Sequence, residues 1–162
     1  TMKFSERMQS AINEQINLEM FSANTYLSMS AYFAQQGLDG FAHWYYMQYK
    51  EELAHAEDMM HYVITRGGKV EIKAVAAVET EFNSPLEIAE KAYHHECLVS
   101  EKIENIVRIA SEEKDMPSQD FFWKYIREQV EEEANATNLI ERLRLAEGHA
   151  ILFLDKELAA RQ

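Results

Sequence analysis

Four long stretches of the sequence repeat apolar residues at steps of three and four, and few residues interrupt them. This spacing places side chains on one face of an α-helix. Glycine occurs five times and proline twice in 162 residues, which disfavours strands joined by frequent turns. A chain of this length buries roughly 70% of its unfolded surface as one domain. The sequence therefore predicts an all-α protein with a single domain over residues 1–162.

Glycines separate the first two predicted helices. The first runs from about Ser5 to Gln36 and the second from about Phe41 to Arg66. The short link at 37–40 is typical of two antiparallel helices, because glycine accepts the left-handed conformation at a helix exit. Helical patterning then lapses over residues 68–83, where about 16 residues are enough to traverse a bundle in an extended crossover.

Ser84, Pro85 and Glu87 form a strong helix start, with serine as N-cap, proline at the first helical position and glutamate completing a capping box. This third helix is predicted to reach about Lys114, and a turn at 115–118 precedes a fourth helix over about 119–147. A short fifth helix follows over about 149–162. The pattern predicts an antiparallel four-helix bundle over about 5–147, with a long crossover between helices two and three.

Each predicted helix carries one glutamate, near its middle, on the face that this spacing turns toward the other helices. The four are Glu19, Glu52, Glu96 and Glu132. Most other positions on these faces are apolar, so bundle packing brings the four carboxylates together in the interior. An isolated buried carboxylate costs on the order of several kcal/mol, and clustered like charges cost more. We therefore predict that a cation compensates them.

His55 indicates what kind of cation this is. Glu52 and His55 lie three residues apart, which puts a carboxylate and an imidazole on one helical face, in the Glu-x-x-His element of bundle dimetal sites. The element alone is weak evidence for a metal site, because such a pair often arises by chance. Together with the other three glutamates it predicts an oxygen-rich site with one imidazole, a ligand set that suits iron or manganese.

The charge and the cysteine content exclude other classes of protein. Sixteen basic and 28 acidic residues give a formal charge of −12, which repels nucleic acid and anionic lipid and attracts cations. The single cysteine, Cys97, excludes an internal disulfide and a multi-cysteine zinc or iron–sulfur site. No apolar run approaches the roughly 20 residues that cross a bilayer, and no signal-peptide hydrophobic region is found. We expect a cytoplasmic protein with no nucleic-acid or membrane partner.

Four segments resemble the non-haem ferritins of bacteria and archaea, and the similarity covers essentially the whole chain. They are Asn-Glu-Gln-Ile-Asn-Leu-Glu at 13–19, Glu-Glu-Leu-Ala-His at 51–55, Glu-Gln-Val-Glu-Glu-Glu at 128–133 and Phe-Leu-Asp-Lys-Glu-Leu at 153–158. The resemblance implies iron storage and detoxification. Fe(II) would be oxidised by dioxygen or hydrogen peroxide at a diiron ferroxidase centre within each subunit, and Fe(III) mineral would be kept inside a cage of 24 subunits.

The resemblance also implies a role for each of these glutamates and for His55. We call the inward-facing side of each helix, on which they lie, the seam. One iron would be held by Glu19, Glu52 and His55. Its neighbour would be held by Glu96 and Glu132, with Glu52 bridging the two. Glu132 can also be shared with a third iron position.

Further residues match family positions around the pair. Gln129 would lie beside the two irons, and Tyr26 would hydrogen-bond a ligand or donate an electron, with an ordinary core tyrosine as the alternative. Glu51, Glu128 and Glu131 match the third iron position of bacterial ferritins. Because these three glutamates sit next to the seam, solvated surface positions are the alternative for them.

One departure from a related family and two rival functions remain. Bacterioferritins place a second Glu-x-x-His on the fourth helix, where this chain has Gln129 and Glu132, so haem is not expected, although Met47 stays a candidate haem ligand. One rival is a diiron oxidoreductase that acts on a small molecule or peroxide without storing iron. The other is a helical interaction module whose seam acids only fix the register of the helices.

Overall fold

The computed structural model describes residues 3–162, and every regular element in that range is helical. The bundle consists of α1 (Glu6–Gln35), α2 (Asp39–Thr65), α3 (Pro85–Glu112) and α4 (Met116–Leu145), followed by a 3-10 turn (Gly148–Ala150) and α5 (Ile151–Leu158). The predicted four-helix bundle with a long crossover and a short fifth helix is confirmed. Residues 1 and 2, where the predicted domain begins, lie outside the described residues.

Helix α3 begins as predicted, except that Glu87 accepts from the residue before the N-cap and not from the N-cap itself. Ser84 Oγ accepts a hydrogen bond from the backbone N–H of Glu87 at 3.1 Å, and Pro85 is the first helical residue. Glu87 Oε2 accepts from the backbone N–H of Asn83 at 2.6 Å, one residue before the N-cap. The serine and the glutamate thus fix the point where the crossover ends.

The turn predicted before the fourth helix is wrong, because α4 already begins at Met116. Asp115 is its N-cap and accepts from the backbone N–H of Ser118 at 3.0 Å. Pro117 lies in the first turn, where a helix needs no N–H donor, so proline starts this helix instead of preceding it. Arg66 donates to Asp115 Oδ1 at 2.8 Å and fixes the cap from α2.

The crossover between α2 and α3 runs along α1. Asn13 donates to the carbonyl oxygen of Lys69 at 2.9 Å, and Ser28, four turns further along α1, donates to the carbonyl oxygen of Glu79 at 2.6 Å. The segment therefore traverses most of the bundle, as its length predicted. This long return makes α2 and α3 run in the same direction.

Two apolar clusters fill the bundle, and a polar layer separates them. In every bundle helix the seam glutamate falls between the residues of one cluster and those of the other. The first cluster contains Met8, Ile12, Ile16, Ala56, Met59, Val99 and Phe122, among others. The second contains Tyr26, Met29, Phe33, Tyr45, Ile88, Leu139, Leu154 and Leu158, among others. The bundle thus places its charged layer where apolar packing on both sides holds the helices in register.

Helix α5 packs on the start of α2. The carbonyl oxygen of Asp155 approaches Gly40 so closely that a Cβ built on that glycine would lie 1.6 Å from it. Asp155 Oδ1 accepts from the backbone N–H of Phe41 at 2.9 Å and satisfies a free donor of the first turn of α2. The chain end beyond α5 is thereby brought alongside α2.

Candidate metal centre

The four seam glutamates converge in the polar layer. Glu19, Glu52 and Glu96 are 1%, 3% and 1% exposed, and Glu132 is partly buried. Ligand atoms of Glu19, Glu52 and His55 all lie within 4.8 Å of one another. The helical spacing therefore identified a real cluster of carboxylates around one imidazole.

Two buried oxygens of this cluster have no hydrogen-bond donor among the described residues. They are Oε2 of Glu19 and Oε2 of Glu52. The other oxygen of Glu19, Oε1, accepts from Gln15 Nε2 at 3.0 Å. A buried carboxylate oxygen without a donor is costly unless a proton or a cation compensates it. Both oxygens are thus available as metal ligands.

Glu19 and Glu52 differ in the direction of their pKa shifts. Burial and the charge of Glu19 hold the pKa of Glu52 well above its ordinary value. Burial also opposes ionisation of Glu19, but its close contacts with Glu52 and His55 outweigh that and lower its pKa. Without a metal ion, a shared proton therefore resides on Glu52 in preference to Glu19.

His55 bridges two groups of carboxylates. Its Nδ1 lies 3.4 Å from Glu52 Oε2 and 3.7 Å from Glu19 Oε2, while its Nε2 lies 2.6 Å from Glu128 Oε1. Burial lowers the pKa of His55, but the hydrogen bond with Glu128 and the close contacts with the carboxylates of Glu19 and Glu52 outweigh it and raise that pKa far above the usual range. The imidazole is thus a cation that compensates the carboxylates around it.

Glu96 is held by hydrogen bonds from two other helices. Tyr26 Oη donates to Glu96 Oε1, and Gln129 Nε2 donates to Glu96 Oε2 at 3.0 Å. Burial and the charge of Glu96 hold the pKa of Tyr26 well above its ordinary value, so the phenol keeps its proton. Burial also raises the pKa of Glu96 despite these two donors.

Glu132 is the carboxylate that α4 contributes to the polar layer. Its Oε2 accepts from Gln48 Nε2 at 3.1 Å. Burial, followed by the charge of Glu96, raises the pKa of Glu132 to about 7. This carboxyl therefore changes its charge near neutral pH.

Not all of the residues expected around a third iron lie together. Ligand atoms of Glu51, Glu128 and Glu132 lie within 4.8 Å of one another, whereas Glu131 is exposed and belongs to neither cluster. Consecutive helical residues point about 100° apart, so only one of Glu131 and Glu132 can face this cluster. The third iron position, with Glu131 as a ligand, stays a prediction.

Sequence reasoning missed two polar neighbours of the site. Gln48 lies four residues before Glu52 and therefore on the same helical face, a signal that could have found it. Arg161 carries no signal in the sequence at all. It contacts Glu51 and Gln48 because α5 brings it across 110 and 113 residues of chain.

Comparisons with known proteins agree with this geometry. The ferritin-like domain family matches residues 9–146. A bacterial non-heme ferritin of Bacteroides fragilis is 46% identical over 157 residues, with 97% of this chain and 99% of the relative covered. An open pore ferritin of Archaeoglobus fulgidus superimposes with a TM-score of 0.96 at 46% identity, covering 99% of this chain and 100% of that one. The chain belongs to the ferritin family.

Among the relatives is also a probable bacterial non-heme ferritin-like protein of Haemophilus influenzae, 35% identical over 95% of this chain and 94% of its own length. The predicted kinship with non-haem bacterial and archaeal ferritins is confirmed. Iron storage with ferroxidase activity is the function of this family, and the cluster of Glu19, Glu52 and His55 fits a ferroxidase centre. Within residues 3–162, no helix of this ferritin combines the length and the apolar character that crossing a membrane requires.

Proposed function

We propose that this ferritin oxidises Fe(II) at a pair of iron positions inside its bundle. Glu19, Glu52 and His55 would hold the first iron. Glu96 and Glu132 would hold the second, with Glu52 bridging and Gln129 beside the pair. The donor-free Oε2 atoms of Glu19 and Glu52 are the observation that carries this proposal.

His55 would bind iron through Nδ1. This nitrogen faces Glu19 and Glu52, while Nε2 contacts Glu128. A metal-bound histidine commonly donates its other N–H to a carboxylate, which fixes the ring and raises its basicity. In this arrangement Glu128 orients His55 in addition to any role at the third iron position.

The chemistry follows from the charges of the layer. Anionic carboxylates stabilise Fe(III) more than Fe(II), so they make oxidation easier. Two Fe(II) ions supply two electrons, which with two protons reduce dioxygen to hydrogen peroxide, or hydrogen peroxide to two molecules of water. Glu52 and His55 carry protons that iron binding would displace. Fe(III) would then move to a storage cavity, with Glu51, Glu128 and Glu131 or Glu132 as a third position.

Replacement of Glu52 and His55 tests the pair. Glu52→Ala and His55→Ala are each expected to abolish the rapid phase of Fe(II) oxidation measured by stopped-flow absorbance. Glu57→Ala is the matched control, because this glutamate is exposed on the same helix. Rapid oxidation that survives in both site variants would contradict the proposal.

We further propose that the chain assembles into a cage of 24 subunits in the cytoplasm and binds no haem. Large apolar side chains that are exposed in the isolated subunit support assembly. Leu145 is 83% exposed, Met116 75% and Phe153 74%. Size-exclusion chromatography separates this proposal from the rival, because a diiron oxidoreductase without storage would elute as a monomer or a small oligomer.

A further inference from the structure

The residues that follow α5 place a guanidinium against the first half of α2. Arg161 stacks on Trp44, with Cζ 4.3 Å from the ring centroid, and its Nη1 donates to the carbonyl oxygen of Trp44 at 3.0 Å. His43 Nε2 lies 2.5 Å from the carbonyl oxygen of Arg161. The side chain is 15% exposed, so these contacts hold it in a defined position.

The same guanidinium reaches the carboxylate cluster of Glu51, Glu128 and Glu132. Its Nη2 donates to Glu51 Oε1 at 2.9 Å and to Gln48 Oε1 at 2.5 Å. Because Gln48 accepts from Arg161 through its oxygen, its amide nitrogen faces Glu132 and donates to Oε2 at 3.1 Å. Arg161 therefore acts on Glu51 directly and on Glu132 through Gln48.

We propose that Arg161 determines the affinity of this cluster for Fe(II), by holding a fixed positive charge on Glu51 that an incoming cation must oppose or displace. The inference rests on the third iron position proposed above. Arg161 touches no iron in this account and acts only through the two glutamates. It is therefore a positioning residue of the site.

Electrostatics gives the direction of the effect. A cation close to a cation site lowers its affinity, and a guanidinium cannot relieve the repulsion by losing its proton. It also occupies one of the two oxygens of Glu51, which leaves that carboxylate one oxygen fewer for an incoming ion. Partial exposure screens the interaction, so we expect removal of the charge to tighten binding by on the order of tenfold.

A consequence is that iron at this position and the docking of the chain end oppose each other. Coupling between two binding equilibria is reciprocal. If Arg161 lowers the affinity of the cluster for Fe(II) by some factor, bound Fe(II) weakens the attachment of Arg161 by the same factor. A weakly held third iron can move on to storage, whereas a tightly held one stays. The guanidinium thus favours transfer over retention.

Anaerobic titration of the assembled, metal-free protein with Fe(II), followed by calorimetry, tests the proposal. In Arg161→Met, an unbranched apolar chain keeps the packing on Trp44 but removes the charge, and the ion beyond the first two per subunit should bind about tenfold more tightly. Arg161→Lys should restore the parent affinity, because it restores the charge. Arg161→Gln, which keeps a donor without the charge, serves the same purpose as the methionine variant if that variant does not assemble.

Arg108→Met is the matched control. It removes the same charge from an exposed pair with Glu104, 3.2 Å apart on α3, and should leave all affinities unchanged. Equal affinity for the third ion in Arg161→Met and Arg108→Met would overturn the proposal, and so would a lysine variant that behaves like methionine. If instead the parent binds no third ion, the third position itself fails, and if it binds none at all, the ferroxidase pair fails.

Discussion

Glu19 and Glu52 face each other in the interior between α1 and α2, with ligand oxygens within 4.8 Å, and the Oε2 atom of each lacks a hydrogen-bond donor among the described residues. Elsewhere in the described chain, buried acids are satisfied, as Asp115 is by Arg66 and Ser118. These two carboxylates therefore cost stability unless a proton or a cation compensates them. Stability and function should oppose each other at these positions.

The first prediction is that Glu52→Gln stabilises the metal-free protein while abolishing rapid Fe(II) oxidation. Glutamine removes a buried acid whose ionisation burial and Glu19 oppose, and its amide keeps a donor beside Glu19, so we expect a gain of about 1–3 kcal/mol. At about 2–4 °C per kcal/mol, calorimetry should register the rise in the unfolding midpoint. Glu57→Gln, at an exposed position of α2, should leave the midpoint unchanged. A lower midpoint for Glu52→Gln would contradict this account.

The second prediction concerns pH. The folded pKa of Glu132 is about 7, against an ordinary value of 4.5. For a carboxyl with a raised folded pKa, the stabilising contribution is complete below the unfolded pKa and is lost as pH rises through the folded pKa. The metal-free protein should therefore lose stability from this group between about pH 4.5 and pH 7.

Unfolding midpoints measured across that range test this prediction. Glu132→Gln cannot titrate, so its midpoint should fall less steeply with pH than that of the parent. Glu131→Gln is the matched control, because the neighbouring glutamate is exposed. Parallel curves for the parent and Glu132→Gln would show that this carboxyl does not titrate as described.

The third prediction is that Tyr26→Phe slows oxidation without unfolding the bundle. Phenylalanine fills the same buried space, but Glu96 loses the donor Oη. A hydrogen bond to a charged group is worth about 1.5–3 kcal/mol, so the rapid phase should slow by about tenfold or more. Tyr45→Phe is the control, since Tyr45 stacks on Tyr26 with centroids 6.1 Å apart. Equal rates in the two variants would make Tyr26 an ordinary core residue.

The helices and the carboxylate layer could be predicted because they follow from one-dimensional spacing. The step of three and four residues fixes which side of a helix faces inward, and so it separates Glu52 from the exposed Glu57. The start of α4 was mispredicted because Pro117 can precede a helix or lie in its first turn. In sequence, these two cases look alike.

Contacts across the bundle could not be predicted in this way. The contact between His55 and Glu128 joins residues 73 positions apart, and that between Arg161 and Glu51 joins residues 110 positions apart. Both depend on how far one helix is shifted along another, which side-chain packing decides. Spacing along the chain identified the glutamates of the site but not Arg161, the guanidinium that contacts them.

The fourth prediction is that Gly40→Ala dislodges α5. The added Cβ would lie 1.6 Å from the backbone oxygen of Asp155, which cannot move without its helix. Alanine favours a helix over glycine by about 1 kcal/mol, but overpacking of this kind costs about 1–3 kcal/mol, and the bond from Phe41 N–H to Asp155 is also stretched. The unfolding midpoint should fall, and limited proteolysis should remove the chain end faster.

Gly37→Ala is the control: its φ of +77° makes alanine strained there, but no atom lies within 4 Å of the new Cβ, so α5 should stay protected. Equal protection of the chain end in both variants would mean that Gly40 is not what lets α5 dock.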